Sequence, residues 1–215
     1  MKASFAVVLI FLSTTCFSQI KAKGFYVSMD NDSVWVTFKI PKKAINETSD
    51  LFGNKIDFSS MREGVEIIDS SGNVKQLMPS DSKGFVFTNN STVYKLFAKP
   101  VNEDHWCFLR PEVMGKKMRL LYFMIEHPRG KVTTGAFGTT NYSTLEEYYW
   151  TFEKHDRTYL FLRSTMKEKE IARLMKEYFN DNPEIQELID KKFQPFAFGD
   201  LSKRIKSIVE AYNAD

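Results

Sequence analysis

The side chains with the most reactive chemistry are few in this sequence, and their spacing matches no catalytic or metal-binding motif. The histidines are His105, His127 and His155, and the cysteines are Cys16 and Cys107. No HExxH, CxxC or His-x-His spacing occurs, so no zinc signature is present. His105 and Cys107 are two residues apart on a predicted strand and could form a thiol–imidazole pair. The flanking Trp106 and Phe108 favour a packed strand instead, because a reactive cysteine needs exposure and a lowered pKa.

The glycine-rich stretch from Gly130 to Gly138 resembles a phosphate-binding loop only superficially. In a P-loop the lysine follows the second glycine and opens a helix, whereas Lys131 follows the first glycine. No G-x-G-x-x-G fingerprint or Gly-x-Ser-x-Gly elbow occurs, and the acidic residues are scattered along the chain. We therefore predict no catalytic residue, no cofactor and no metal, and the sequence leans against an enzyme. A hydrolase with dispersed carboxylates is a third alternative.

A run of aromatic residues between positions 148 and 152 is the strongest pointer to a binding surface. Tyr148, Trp150 and Phe152 alternate with Tyr149 and Thr151, so both faces of the predicted strand carry rings. If one face is open to solvent, Tyr148 and Trp150 are candidate contacts for a sugar or a partner protein. A strand buried on both faces accounts for the same residues and is the simpler interpretation.

Residues 19–163 show the two-residue period of strands, interrupted by polar turns at regular intervals. Aromatic and β-branched residues on both sides of these turns predict five hairpins. The turns and loops lie at 30–32, 69–73, 89–90, 111–115 and 154–157. We also predict a short strand at 55–58 and a Gly/Thr-rich loop at 128–141. Regular spacing of this kind predicts an antiparallel sandwich or a partly open barrel.

The period changes to that of a helix after residue 163, and apolar stripes predict three helices within residues 164–215. Thr165 and Glu168 have the spacing of a capping box at the start of the first helix. Asn182 caps the second helix, with Pro183 at its first position, and Asp200 caps the third. Each stripe is one-sided, so the helices must pack on the β-region or on each other. The predicted fold class is therefore α+β, with an antiparallel β-rich domain followed by a three-helix C-terminal tail.

The composition of the 215 residues is that of a folded chain with a sizeable core. Hydrophobic residues make up 43% and charged residues 27%, which excludes a collagen-like repeat, a disordered polyelectrolyte and a disulfide-stapled miniprotein. The formal net charge is only +3, so no strong field points to nucleic acid or to an anionic membrane. We predict no nucleic-acid partner.

Residues 1–18 have the three-part build of a secretory signal peptide. A basic start at Lys2 is followed by an apolar run to position 12, and Cys16 and Ser18 place small side chains before a cut at Gln19. A lipidated Cys16 and an uncleaved anchor are the alternatives. The apolar run is shorter than the roughly 20 residues that span a bilayer as a helix, and no other stretch approaches that length. The sequence thus predicts an exported protein, periplasmic or associated with the outer envelope, whose mature chain has no transmembrane span.

A set of short segments spread over residues 20–213 has a familiar order. The segments are Lys23-Gly-Phe-Tyr-Val with Asn31-Asp-Ser-Val, Lys55-Ile-Asp-Phe58, Met78-Pro79 with Gly84-Phe85, Phe108-Leu-Arg with Met118-Arg-Leu-Leu-Tyr122, Tyr178-Phe-Asn-Asp-Asn-Pro-Glu-Ile185 and Ile208-Val-Glu-Ala-Tyr-Asn213. Together they resemble a family of exported, functionally uncharacterised cell-envelope proteins of Bacteroidetes, which often have a cysteine where Asn182 stands here. The resemblance implies a location in the cell envelope and no established reaction, so no catalytic residue is carried over.

Export, a near-neutral charge and the lack of a reactive set favour a non-enzymatic cell-envelope protein that acts as a protein-binding or structural module. Its predicted partner is an envelope protein or a glycan of unknown identity. The alternative is a ligand-binding β-domain for a glycan or an apolar small molecule, because an antiparallel barrel can enclose such a ligand.

Overall fold

The computed structural model describes residues 19–41, 58–102, 105–133, 140–194 and 200–214, without the side chains of residues 59, 126–133 and 140–146. The predicted signal peptide at 1–18 and most of the short strand predicted at 55–58 lie outside this set. Phe58 itself is not in a strand, and it directly precedes a short helical turn at Ser59–Met61.

Ten strands form one antiparallel sheet in the described part of the chain. They are β1 (Gln19–Ser28), β2 (Ser33–Pro41), β3 (Val65–Ile68), β4 (Val74–Leu77), β5 (Ser82–Asn89), β6 (Thr92–Pro100), β7 (Trp106–Met114), β8 (Met118–Thr133), β9 (Thr140–Lys154) and β10 (Tyr159–Arg163). Their order is β10-β9-β8-β7-β6-β5-β1-β2-β3-β4, and the sheet is not closed into a barrel. Consecutive strands pair except β4 and β5, because β5 returns to pair with β1. All five predicted hairpins are confirmed.

The helices in the described residues are α1 (Glu168–Tyr178), α2 (Pro183–Lys192) and α3 (Leu201–Ala214). The predicted α+β class, a β-rich domain followed by a helical tail, is confirmed. Asn182 Oδ1 accepts a hydrogen bond from Ile185 N at 3.1 Å, as expected of a helix cap. Asp200 Oδ1 accepts one from Ser202 N at 2.9 Å, so both of these caps are confirmed. Within the described ranges, no helix combines the length and the apolar character needed to cross a membrane.

The capping box predicted at the start of α1 is wrong. The residue before α1 is Lys167, whose side chain makes no capping bond. Thr165 Oγ1 donates instead to Glu147 Oε1 at 3.1 Å, and the Glu168 carboxylate accepts two bonds from Arg204, at 2.6 and 3.0 Å. A forked guanidinium–carboxylate pair is stronger than a bond to a neutral backbone N–H, so the tertiary contact replaces the local one.

Two segments predicted as loops are strands. Pro111 lies inside β7, where the register with β8 shifts between Pro111 and Val113. A proline fits such a bulge because its missing N–H interrupts the pairing anyway. The loop predicted at 128–141 is wrong at both ends, since β8 continues to Thr133 and β9 begins at Thr140, with another register shift between Pro128 and Lys131.

One face of the sheet, here called the helix-side face, holds most of the core. In β1–β7 this face curls on itself around large apolar side chains that include Phe38, Phe85 and Phe108. In β8–β10 the same face is covered by the three helices, which pack on residues such as Leu120 and Trp150. The sequence left open whether the helices dock on the sheet, and the shared core shows that they do.

The other face, here called the opposite face, is enclosed only in the second half of the sheet. Strands β6 and β9 are separated by two strands in the sheet order, yet they come into contact on this face. Lys99 of β6 forms an ion pair with Glu153 of β9. In addition, Thr151 Oγ1 donates to the Pro100 carbonyl at 3.2 Å. This curl buries a small core of Cys107, Leu109, Leu121 and Phe123. The sheet therefore bends toward one face in its first half and toward the other in its second half.

The last helix is fastened to the turn between β7 and β8 by one side chain. Asn213 Oδ1 accepts bonds from the N–H groups of Lys117 and Met118, both at 3.0 Å. Asn213 Nδ2 donates to the carbonyls of Met118 at 3.2 Å and Val209 at 2.9 Å. Gly115 lies so close that a Cβ atom there would be 1.9 Å from Asn213 Cγ. A glycine is therefore required for the close approach of helix and turn.

Candidate ligand-binding cavity

The two aromatic residues predicted as contacts lie on the helix-side face. Trp150 is only 2% exposed and belongs to the core under the helices. Tyr148 is half-buried and stacks on Trp150, with ring centroids 5.8 Å apart and planes at 11°. Trp150 thus offers no exposed ring to a sugar, and the interpretation as a packed strand describes it correctly. A contact of Tyr148 with a ligand or partner stays a prediction.

The possible thiol–imidazole pair has no nucleophile. The Cys107 side chain is fully buried, and this burial raises the pKa of its thiol to about 11. At neutral pH the sulfur is therefore protonated, and no thiolate faces the cavity of about 510 Å³ that Cys107 and His105 both line. Among the described residues, no group of three or more His, Cys, Asp or Glu side chains could hold a metal ion.

A cavity of about 490 Å³ lies on the opposite face, where the two bends of the sheet meet. Strands β1, β5 and β6 form its floor, and Arg119 of β8, Arg157 of the β9–β10 turn and Tyr159 of β10 form one wall. Val27, Val86 and Phe97 supply apolar surface on the floor. Its volume lies within the range of about 300–1,000 Å³ in which proteins bind small molecules.

The charges around this cavity are of one sign. Five cationic side chains line it, namely Lys83, Lys95, Lys99, Arg119 and Arg157, and no carboxylate lines it among the residues the structure describes. The Glu153 carboxylate next to this lining pairs with Lys99 and lies 3.6 Å from the Arg119 guanidinium. The described lining therefore carries an excess of positive charge, which favours anions.

Strand periodicity places two of the cations and one aromatic ring on the floor of the cavity. Lys95, Phe97 and Lys99 alternate along β6 and therefore share the opposite face. The Lys95 ammonium lies 4.8 Å from the centre of the Phe97 ring, and the Arg119 guanidinium lies 5.7 Å from it. These cation–π contacts hold the two charges over the apolar floor.

Two features of β5 shape the floor of the cavity. Ser82 is fully buried there, and its hydroxyl oxygen has no hydrogen-bond partner in the described part of the protein. Gly84 has φ +137°, and a Cβ atom on it would lie 2.3 Å from the Leu96 carbonyl oxygen. Gly84 pairs with Val27 on one side and Phe97 on the other, so the floor has no side chain between them. Gly84 thus leaves a trough across the floor, and the Ser82 hydroxyl is available to form a hydrogen bond with a ligand.

The turn that carries Arg157 has an unusual backbone. Arg157 has φ +65°, a left-handed conformation that suits glycine or asparagine and strains other residues. The turn is held by Arg157 N donating to the Lys154 carbonyl at 3.0 Å and by Thr158 N donating to Asp156 Oδ1 at 2.9 Å. Strain of this kind is often retained where a side chain is needed for function. Here it keeps a guanidinium at the wall of the cavity.

Tyr159 completes the charged end of the cavity. Burial raises the pKa of its phenol, and the Glu153 carboxylate raises it further. The neutral hydroxyl donates to Glu153 Oε1 at 3.3 Å, and the Lys99 ammonium lies 6.0 Å from the centre of its ring. The Tyr159 phenol thus stays a hydrogen-bond donor and does not act as a base.

Sequence reasoning missed this site. The alternation of Lys95, Phe97 and Lys99 is visible in the sequence and could have marked a basic strand face. Arg119 and Arg157 come from distant positions, and only the reversal of the sheet's curvature brings them to β6. Comparisons with family models, curated proteins and solved structures give no match for this chain.

Proposed function

We propose that this protein is a non-enzymatic binding module of the cell envelope that holds an anionic small molecule in the cavity on the opposite face. The observation that carries the proposal is the set of five cationic side chains around an apolar floor, with no carboxylate among the described lining residues. The alternative predicted from the sequence was a β-domain that binds a glycan or an apolar small molecule, and the cations lead us to propose an anion as the ligand instead.

The charge arrangement supports an anion more strongly than a neutral glycan. Neutral sugars are bound by many polar side chains that accept and donate, and among the described lining residues Asn31 and Ser82 are the uncharged non-aromatic polar ones. The Phe97 ring is also occupied by the two cations that lie over it. Within the described chain, Lys95 and Arg157 have no carboxylate partner, so a ligand anion would gain a contact there without breaking an ion pair.

The proposal is tested by calorimetric titration of the purified mature protein with anions of different classes. We use dodecanoate, inorganic phosphate and an oligogalacturonate, each at low salt because screening weakens surface charge. We expect at least one to bind at a single site and to bind about tenfold more weakly to the double variant Lys95→Gln/Arg157→Gln. A tenfold loss corresponds to about 1.4 kcal/mol.

The matched control is Lys169→Gln/Lys191→Gln, which removes two exposed charges from α1 and α2 on the helix side. Its affinity should equal that of the unmodified protein. Equal weakening by both double variants would show a general charge effect, and the absence of binding by all three anions would overturn the proposal.

The envelope location rests on the leader predicted at residues 1–18 and on the resemblance described above. Intact mass of the protein from its native source tests it. A mature chain that starts at Gln19 is expected, and a full-length product in the cytosol would overturn this part of the proposal.

A protein partner is the second candidate function, and one observation favours it. Trp35 is 70% exposed and packs beside Phe25, with ring centroids 5.2 Å apart. Exposed tryptophan is frequent at the centre of protein interfaces. Crosslinking in cells should recover a partner with the unmodified protein and lose it with Trp35→Ala. Recovery of monomer alone would remove this candidate.

A further inference from the structure

From the layout of the cavity we infer that its ligand is a single-chain amphiphile, with an anionic head at Lys99, Arg119 and Arg157 and an alkyl tail in the trough beside Gly84. This inference rests on the proposed function and specifies the chemical class of the anion. The head is a carboxylate or a phosphate, since both offer the same charged oxygens to these side chains.

Three of the five cations lie together at one end of the cavity. Lys99, Arg119 and Arg157 also line a smaller, mainly polar cavity beside the first one, together with Glu153 and His155. This end gathers three cations and the phenol of Tyr159 around one carboxylate, so it keeps an excess of positive charge. A charged head needs several such donors together, whereas the other two cations, Lys83 and Lys95, lie singly on β5 and β6.

The apolar part extends away from this charged end across two neighbouring strands. Val27 of β1, Gly84 of β5 and Phe97 of β6 form one row of the sheet, and Val86 lies in the adjoining row. The row spans two strand spacings, about 10 Å. Because Gly84 has no side chain, the row has a gap in its middle that a methylene chain can fill. Met29, 51% exposed, and Trp106, 41% exposed, stand at the border of the cavity and would lose water-exposed surface to such a chain.

A compact polyanion fits these features less well. It would leave the apolar trough in contact with water, and it would place charges over Val27 and Val86. An amphiphile uses both parts, because each buried methylene adds to the affinity independently of the head. The cations thus favour an anionic head group, and the apolar trough favours an alkyl tail.

The test is a chain-length series measured by calorimetry, all below the concentrations at which micelles form. Hexanoate, octanoate, decanoate and dodecanoate form one arm, and the alkyl phosphates of the same lengths form the other. We expect affinity to rise by about fourfold per methylene in at least one arm and to level off once the chain exceeds the trough. Decyltrimethylammonium, which has the tail and the wrong charge, should not bind.

A backbone substitution separates binding from stability. Arg157→Gly removes the guanidinium and relieves the left-handed strain at φ +65°. We expect decanoate or decyl phosphate to bind at least tenfold more weakly, while the thermal midpoint is unchanged or higher. The control is Ser91→Gly, which relieves a φ of +65° in the β5–β6 turn and lies outside the cavity lining. It should leave the affinity as it was.

The outcomes distinguish the two proposals. Affinity that rises with chain length and falls in Arg157→Gly supports the amphiphile. Binding of phosphate or oligogalacturonate with no dependence on chain length overturns the amphiphile and leaves the anion-binding function standing. Failure of every anion to bind overturns both.

Discussion

The two faces of the sheet treat charged groups in opposite ways. On the helix-side face, Arg204 is 7% exposed and its guanidinium binds both oxygens of Glu168 and the Lys192 carbonyl. On the opposite face, five cations surround a cavity whose described lining contains no carboxylate. Paired charges on one side stabilise the docked helices, whereas one-signed charges on the other cost stability. We therefore look for stability behind the helices and for binding on the other face.

Lys154 shows how the helix side compensates a cation. Its ammonium donates to Asp181 Oδ1 at 2.8 Å and to the Tyr178 carbonyl at 2.9 Å. The rings of Tyr178 and Tyr212 lie beneath it, at 4.9 and 5.4 Å. Tyr212 in turn donates to Asp181 Oδ2 at 2.9 Å. With Phe179 also 5.7 Å away, this single cation has a carboxylate, a carbonyl and three aromatic rings as partners, none of which Arg157 has among the described residues.

The largest effect should come from placing a charge in the helix-side core. Ile208 is fully buried in α3, so Ile208→Asp forces an unpaired carboxylate into apolar surroundings or detaches the tail. We expect a loss of more than about 3 kcal/mol, measured by thermal unfolding followed by circular dichroism. The exposed Lys203→Asp on the same helix should change stability by less than about 0.5 kcal/mol. An unchanged melting temperature for Ile208→Asp would show that the helices do not hold the fold together.

A smaller loss is expected from Gly115→Ala, because its methyl group would collide with Asn213. The cost should be about 1–3 kcal/mol, as for other overpacked sites. In an Asn213→Ala background the collision disappears, so Gly115→Ala should cost much less there. Additive effects of the two substitutions would contradict a direct contact between them.

The smallest expected effect is on the pH dependence of stability in acid. The hydrogen bonds from Arg204 hold the pKa of the Glu168 carboxyl below its ordinary 4.5, although burial opposes them. Because the folded pKa is the lower one, the contribution of Glu168 is present above pH 4.5 and is lost as pH falls through the folded pKa. Glu168→Gln should thus flatten the decline of stability in acid. The control Lys95→Gln should leave this decline unchanged, because Lys95 has no carboxylate partner among the described residues.

The sequence allowed the local structure to be predicted better than the long-range structure. The hairpins and the Asn182 and Asp200 caps follow from turn residues and periodicity, which act over a few positions. The capping box failed because Arg204, thirty-six positions away, binds Glu168 more strongly than the helix start does. The loop at 128–141 failed because its proline and glycine are absorbed at a register shift in a long hairpin. The cavity was missed because its cations come from three strands and a turn, and no local pattern records the bends that bring them together.

The three tryptophans stand in three different surroundings: Trp35 is 70% exposed on β2, Trp106 is 41% exposed at the cavity, and Trp150 is 2% exposed beneath the helices. Indole emission shifts to longer wavelength as water gains access to the ring. Variants that retain one tryptophan each would therefore convert the molecule into three separate optical probes, one for the solvent-exposed sheet, one for the cavity and one for the helix-covered core.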